Sequence, residues 1–292
     1  MKKYVITTDA SAGLSQSFIH ENQIKVLDIE VSNQGKKIKV DDPEFKSFYK
    51  DIRNGHMFTT AAATPHLIEE HFRKILNQGF DILHLSFSSK LSSTYDHVLN
   101  VKEQLLSSYP DYKIIVIDTV STTIGLRLLV EEAVDMRKQY YSIEENANCI
   151  ESEKNRIIHQ FVLKDLSHLV RGGRLSSTHA FIGNTLNIKP ILHLNEQGEI
   201  VLFKNERGRK KALKTMLNNL KKHNEVNPIS KLYIAHSDAD EEAKKLKENI
   251  QAILDIESIE ITTITPIIGT HIGADALVIS YSGIDRKIKT TT

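Results

Sequence analysis

Along this chain the spacing of apolar positions switches repeatedly between a period of two and a period near 3.6. That alternation predicts strands and helices in turn. Residues 4–7 read as a first strand that ends in the polar turn Thr8-Asp9-Ala10-Ser11. Residues 24–31 and 37–40 read as two further strands around Asn33-Gln34-Gly35. Thr64-Pro65 has the form of a helix start, a hydroxyl cap followed by proline at the first helical position. Leu67, Ile68, His71, Phe72, Ile75 and Leu76 then recur at helical spacing, and Gly79 ends the pattern. A strand over 80–87, a helix from 94 to 106, a strand over 113–117 and a helix over 123–139 complete this half. Short links and helical crossovers imply parallel strand–helix–strand units, whose ligands sit beyond the C-terminal ends of the strands.

Residues 142–158 are polar with a helical pattern and read as the passage between domains. The expected organisation is an N-terminal α/β domain over 1–156 with a largely parallel sheet. A C-terminal α/β domain with a mixed sheet follows over 157–283, and then a loose polar tail over 284–292. The second domain reads as a strand over 157–163, the segment 165–170 and the loop Arg171-Gly172-Gly173-Arg174. A hairpin follows over 188–194 and 199–204, then helices over 207–223 and 238–254 around a strand at 231–235. Strands at 259–264 and 276–280 close the domain.

The 292 residues suffice for two cores. Lys plus Arg total 38 against 37 for Asp plus Glu, so no global field favours nucleic acid or an anionic membrane. The single cysteine, Cys149, allows no intrachain disulfide and suits a reducing cytoplasm. No stretch approaches the roughly 20 apolar residues that span a bilayer, so a cytoplasmic protein without an integral membrane segment is expected.

Candidate chemistry concentrates in His84-Leu85-Ser86-Phe87-Ser88-Ser89-Lys90-Leu91-Ser92-Ser93-Thr94, which places six hydroxyls within residues 86–94 at a strand end. Two readings stand: a serine-rich turn that caps the next helix through Ser92 or Ser93, or an anion site of hydroxyls and backbone N–H groups. The two-arginine loop 171–174 is either a surface turn or a partner for phosphate or carboxylate. Other signals are weaker. There is no G-x-S-x-G, Walker loop, G-x-G-x-x-G or H-E-x-x-H motif. His66 and His71 lie about 140° apart around a helix and cannot share a metal from one face. The acids of His236-Ser237-Asp238-Ala239-Asp240 suit a helix N-terminus better than a calcium loop. The lysines of helix 207–223 suit the solvated side of a core-packing helix.

Several segments, taken in order, resemble the DegV family of bacterial fatty-acid-binding proteins over nearly the whole chain. Thr8-Asp9-Ala10-Ser11 is similar to the family's opening turn, Phe58-Thr59-Thr60 to its Thr-Ser loop, and residues 88–95 to its Ser-Ser-x-x-Ser-Gly-Thr-Tyr segment. The run from Asp165 to Arg174 is the most specific resemblance. Residues 188–192 and 207–212 follow in the family's order, and His271-Ile272-Gly273 resembles its C-terminal histidine–glycine loop.

The resemblance implies an acyl tunnel at the domain junction, holding a long-chain fatty acid such as palmitate. It places the carboxylate on Thr59, Ser92 and His271, with Thr60, Ser93, Thr94 and Gly273 as further pocket positions. It implies no catalytic residue, no metal and no cofactor beyond the bound acid. It also implies a partner, an ATP-dependent fatty acid kinase that phosphorylates the presented acid, with Arg171 and Arg174 expected on the surface that meets it. Three departures stand out: Ser93 for glycine, Thr60-Ala61-Ala62 for Ser-Gln-Pro, and Ala274-Asp275 for Pro-Gly, with Asp275 expected to point outward. The competing readings are a hydrolase or acyltransferase using a loop serine, and a regulatory or nucleic-acid-binding module using helix 207–223.

Overall fold

The computed structural model describes residues 3–38, 45–175 and 187–287. The chain begins with β1 (Tyr4–Asp9), α1 (Gln16–Glu21) and β2 (Lys25–Leu27). Next come β3 (Glu30–Asn33), β4 (Lys36–Lys37), α2 (Lys46–Arg53) and β5 (Phe58–Ala61). They are followed by α3 (Pro65–Leu76), β6 (Asp81–Ser86), α4 (Thr94–Ser108), β7 (Ile114–Asp118), α5 (Thr123–Lys138) and α6 (Ile143–Glu153). The remaining elements are β8 (Ile157–Val162), α7 (Ser167–Arg171), β9 (Ile188–Leu194), β10 (Ile200–Arg207), α8 (Arg209–Val226), β11 (Lys231–His236), α9 (Asp240–Gln251), β12 (Ser258–Thr263), α10 (Pro266–Ile272) and β13 (Leu277–Ser282).

Two compact units result, one of residues 1–30 and 61–155, the other of 31–60 and 156–292. In the first, β2-β1-β6-β7 form a sheet in which every pairing is parallel. The helix α3 starts as its sequence dictates: Thr64 Oγ1 accepts from Leu67 N–H, and Pro65 opens the helix. Its Ile68, Phe72, Ile75 and Leu76 pack with Val98, Val101 and Leu105 of α4 onto Val5 and Ile82. Burying such side chains stabilises the unit by about 1.5–3 kcal/mol each.

The second unit is built on a mixed sheet ordered β10-β9-β8-β13-β11-β12, with only the last pair parallel. On one of its faces lie Ala212, Met216 and Leu220 of α8 and Ala243, Leu246 and Ile250 of α9. The basic helix therefore buries an apolar stripe and leaves its lysines on the other side.

The expected contiguous first domain over 1–156 needs correction, because residues 31–60 join the second unit. The cause is α2, whose Phe48, Tyr49 and Ile52 form a cluster with Val31, Ala274 and the partly buried Ile267. Tyr49 is fully buried and donates from its hydroxyl to the Ile264 carbonyl at 2.7 Å. Gly269 makes room for it, since a Cβ there would stand 2.6 Å from the Tyr49 hydroxyl. The strand expected over 24–31 is broken into β2 and β3, and residues 39–40 of the next expected strand lie outside the described residues. Of the expected tail, 288–292 also lies outside them, and Arg286 donates to the Asn195 carbonyl at 2.7 Å. Among the described residues no helix is long and apolar enough to cross a membrane.

Candidate functional site

The hydroxyl loop leaves the C-terminal end of β6, as the parallel arrangement predicts. Its backbone is tied down at several points. Ser88 N–H donates to the Ser121 carbonyl at 3.0 Å, and the Ser88 carbonyl accepts from Leu91 and Ser92. Ser89 donates from its hydroxyl to Asp118 at 2.5 Å, and Phe87 N–H donates to Asp9 at 2.9 Å. Asp9 is itself buried, which raises its pKa despite the hydrogen bonds from Ser11 and Phe87 that oppose the shift. Ser93 begins α4 without a side-chain capping bond. Its φ of −76° and ψ of 1° suit any residue, so the missing family glycine costs nothing there.

Ser92 is prepared differently from its neighbours. Its Oγ accepts from Thr94 N–H at 3.2 Å and lies 3.0 Å from Thr94 Oγ1. Thr94 is buried, and its Oγ1 takes the Ala63 N–H at 3.2 Å. The hydroxyl pair admits either donor, and in one arrangement Thr94 donates to Ser92. The acceptor capacity of Ser92 is then filled from within, and its own proton is left to offer outward. A hydroxyl in that state suits an anionic acceptor.

In the second unit Thr59 and Thr60 point to opposite sides of β5, as successive strand residues must. Thr59 is exposed and lies 2.9 Å from Ser32 Oγ. Thr60, half-buried, lies 2.7 Å from His271 Nε2. Of the two expected carboxylate residues in this unit, the structure thus joins His271 to Thr60, and Thr59 is elsewhere. His271 also stands on the helix α10, where a loop was expected, because Thr265-Pro266 starts a short helix that runs to Gly273.

Burial, with Arg174 and His168 beside it, lowers the pKa of His271 to about 4, so its ring is neutral near pH 7. Its Nδ1 is buried with no partner among the described residues. A buried N–H without an acceptor is the costlier arrangement, so the proton belongs on Nε2, where it is donated to Thr60 Oγ1. Thr60 then resembles Ser92: it accepts from inside and has a proton to give.

The remaining expected residues fall around α7 and α10. Arg171 is exposed, with Nη1 4.0 Å from Met57 Sδ, whereas Arg174 is half-buried and donates to the Gly172 carbonyl. Gly273 caps α10 at φ +73°. Asp275 accepts from Arg53 at 2.6 and 2.8 Å and lies 3.7 Å from Lys164. Burial would raise its pKa, but Arg53, with Lys164 and Arg209 nearby, more than offsets this and holds the carboxyl below its usual value. Asp275 takes φ +64°, the conformation glycine would supply and one that aspartate tolerates.

Ser89 pairs with Asp118, and Ser92 with Thr94. No three His, Cys, Asp or Glu side chains gather as a metal-ligand set among the described residues. Sequence reasoning overlooked the Ala63–Thr94 bond, Arg53 and His168. Only His168 carried a signal, its place within the run from Asp165 to Arg174.

Residues 3–283 match a family profile described as an uncharacterised protein of the DegV family. A DegV domain-containing protein of Clostridium perfringens is 38% identical over 294 residues, covering 97% of this chain and 98% of the relative. The solved structure of a fatty acid binding DegV family protein from Streptococcus agalactiae is 28% identical, with a TM-score of 0.86, and the match covers 97% of this chain and 99% of that one. DegV, a fatty acid binding protein from Bacillus subtilis, is 26% identical with a TM-score of 0.84, over 97% of this chain and 100% of that one.

Proposed function

As the chain belongs to the DegV family, we propose that it carries a long-chain fatty acid and presents the carboxylate to a separate ATP-dependent kinase. The observation that carries this reading is the likeness over 97% of the chain to solved structures described as fatty acid binding, at 28% and 26% identity. In each unit one hydroxyl suits such a ligand: Ser92 Oγ accepts from Thr94 N–H, and Thr60 Oγ1 lies 2.7 Å from the neutral His271 Nε2. A carboxylate is acceptor-only when ionised, so it matches a hydroxyl that has a proton to give. In this reading the candidate carboxylate contacts are Ser92 in the first unit and Thr60 in the second, with His271 acting through Thr60. Ser93 and Thr59 are neighbours of the binding hydroxyls. The descriptions of the Streptococcus agalactiae and Bacillus subtilis proteins as fatty acid binding support the ligand class.

Affinity comes mainly from the tail. Burying about fourteen methylenes at about 0.8 kcal/mol each gives roughly 11 kcal/mol before ordering costs. The chemistry belongs to the kinase in this reading: the carrier holds the acid still and uses no catalytic residue or cofactor of its own. Arg171, exposed and able to make paired hydrogen bonds with acidic groups, is the contact for that partner, and Arg174 braces the loop behind it. The test is native mass spectrometry of freshly purified protein followed by organic extraction. A stoichiometric, non-covalently bound fatty acid is expected. Extracts no richer than those of a control protein would remove the carrier reading, and covalent labelling by a serine-directed probe would replace it with a hydrolase.

A further inference from the structure

Two short helices of the second unit end against each other in a reciprocal fit. The helix α7 stops at Gly172 and α10 at Gly273, and each glycine lies under the imidazole of the other helix. A Cβ on Gly172 would stand 2.7 Å from His271 Nδ1, and one on Gly273 would stand 2.7 Å from His168 Cδ2. Neither position has room for a side chain. The backbone of Thr270, the residue just before His271, lies beside the His168 ring and favours a proton on it. One side chain therefore touches the chain on both sides of His271.

We infer that His168 is the positioning residue of His271, holding Thr270 and Gly273 so that Nε2 addresses Thr60. The physical need is plain. The helix α10 has seven residues and closes on a glycine, so few helical hydrogen bonds brace its last turn. The 2.7 Å contact between His271 Nε2 and Thr60 Oγ1 depends on where that turn sits. His168 sets its ring beside the Thr270 backbone and lays a flat surface against Gly273, and Gly172 offers the matching surface for the His271 ring. The charged groups around the pair are Arg171 and Asp165 near His168, and Arg174 near His271. Burial and the arginines keep both rings neutral, which allows each to serve as a single directed donor.

The ligand arm of the test rests on the carrier reading, while the spectroscopic arm uses lipid-stripped protein and stands without it. Nitrogen-15 NMR of the histidine rings should show His271 in the Nε2–H form, titrating near pH 4. In His168→Ala the His271 midpoint should rise, with the two tautomers mixed, because part of the ring's burial is lost. Fatty-acid affinity should fall roughly ten-fold, the size of one charge-assisted hydrogen bond, with a smaller change for the matching fatty alcohol. His168→Asn, whose flat amide can address the same Thr270 backbone and Gly273 surface, should recover most of both signals. Gly273→Ala pushes on the His168 ring without removing it and should reproduce the NMR change if His168→Ala does not fold. A folded His168→Ala or Gly273→Ala variant with the wild-type His271 tautomer and midpoint would overturn the inference. So would equal losses in the alanine and asparagine variants.

Discussion

Arg53 grips Asp275 with two guanidinium nitrogens, Nη2 at 2.6 Å and Nη1 at 2.8 Å, although 222 residues separate them in sequence. The same guanidinium donates from Nε to Asp238 at 2.8 Å. This fork fastens α2 to the loops that precede α9 and β13, close to the Thr60–His271 pair in the chain. It also explains why a negative charge is tolerated two residues after Gly273: the arginine neutralises it.

Because Arg53 and Asp275 are each about a third exposed, their pair is worth much less than a buried one. Arg53→Ala should lower stability by about 1 kcal/mol. The loss should shrink at high salt, and urea melts of Arg53→Ala, Asp275→Asn and the double variant should give a coupling of comparable size. Additive losses would mean that the fork contributes nothing. Asp275 has a depressed pKa when folded, so its contribution is present above the unfolded carboxylate pKa and fades as pH falls through the folded one.

Thr60→Val should weaken fatty-acid binding by roughly ten-fold or more, and Thr59→Val should change it little, since a hydrogen bond to a charged group is worth about 1.5–3 kcal/mol. Ser92→Ala should match Thr60→Val. Competition with a labelled fatty acid measures all three, and the matching fatty alcohol should discriminate less between wild type and variants. A larger loss in Thr59→Val than in Thr60→Val would return the carboxylate to Thr59.

Histidine burial sets an acid limit. Desolvation lowers His71 to about 4, His84 to about 3 and His193 to about 4. The folded state therefore refuses protons that the unfolded chain accepts below about pH 6.5. Stability should be full above that pH and should fall from there toward pH 4, by about 2 kcal/mol at pH 5 for a fully buried ring such as His84. Urea midpoints at pH 7, 6 and 5 measure the slope. A flat profile would show that these rings admit solvent.

Arg171→Ala should retain its fatty acid and its melting temperature while slowing phosphorylation of that acid by the cognate kinase. Docking and cargo binding are separate equilibria, so raising the carrier concentration should restore part of the rate. Loss of bound fatty acid in this variant would instead move Arg171 into the ligand site.

Much of this protein is local in origin and was legible in the chain. Thr64, Pro65 and the apolar spacing through Leu76 specify α3 within a dozen residues. Capping and periodicity act over that range. The strand–helix alternation likewise implied the parallel sheet, and with it the hydroxyl loop at the end of β6. The choice between Thr59 and Thr60 is of another kind. A shift of one residue on a strand turns a side chain to the opposite face, and nothing within β5 says which face meets α10. The allegiance of residues 31–60 is decided by Tyr49 and Arg53, whose partners lie 185 to 222 residues away. His168 gains its place only when Gly273 is brought beneath it. These contacts join chemically ordinary residues across long stretches of chain, so tertiary packing alone gives them their meaning.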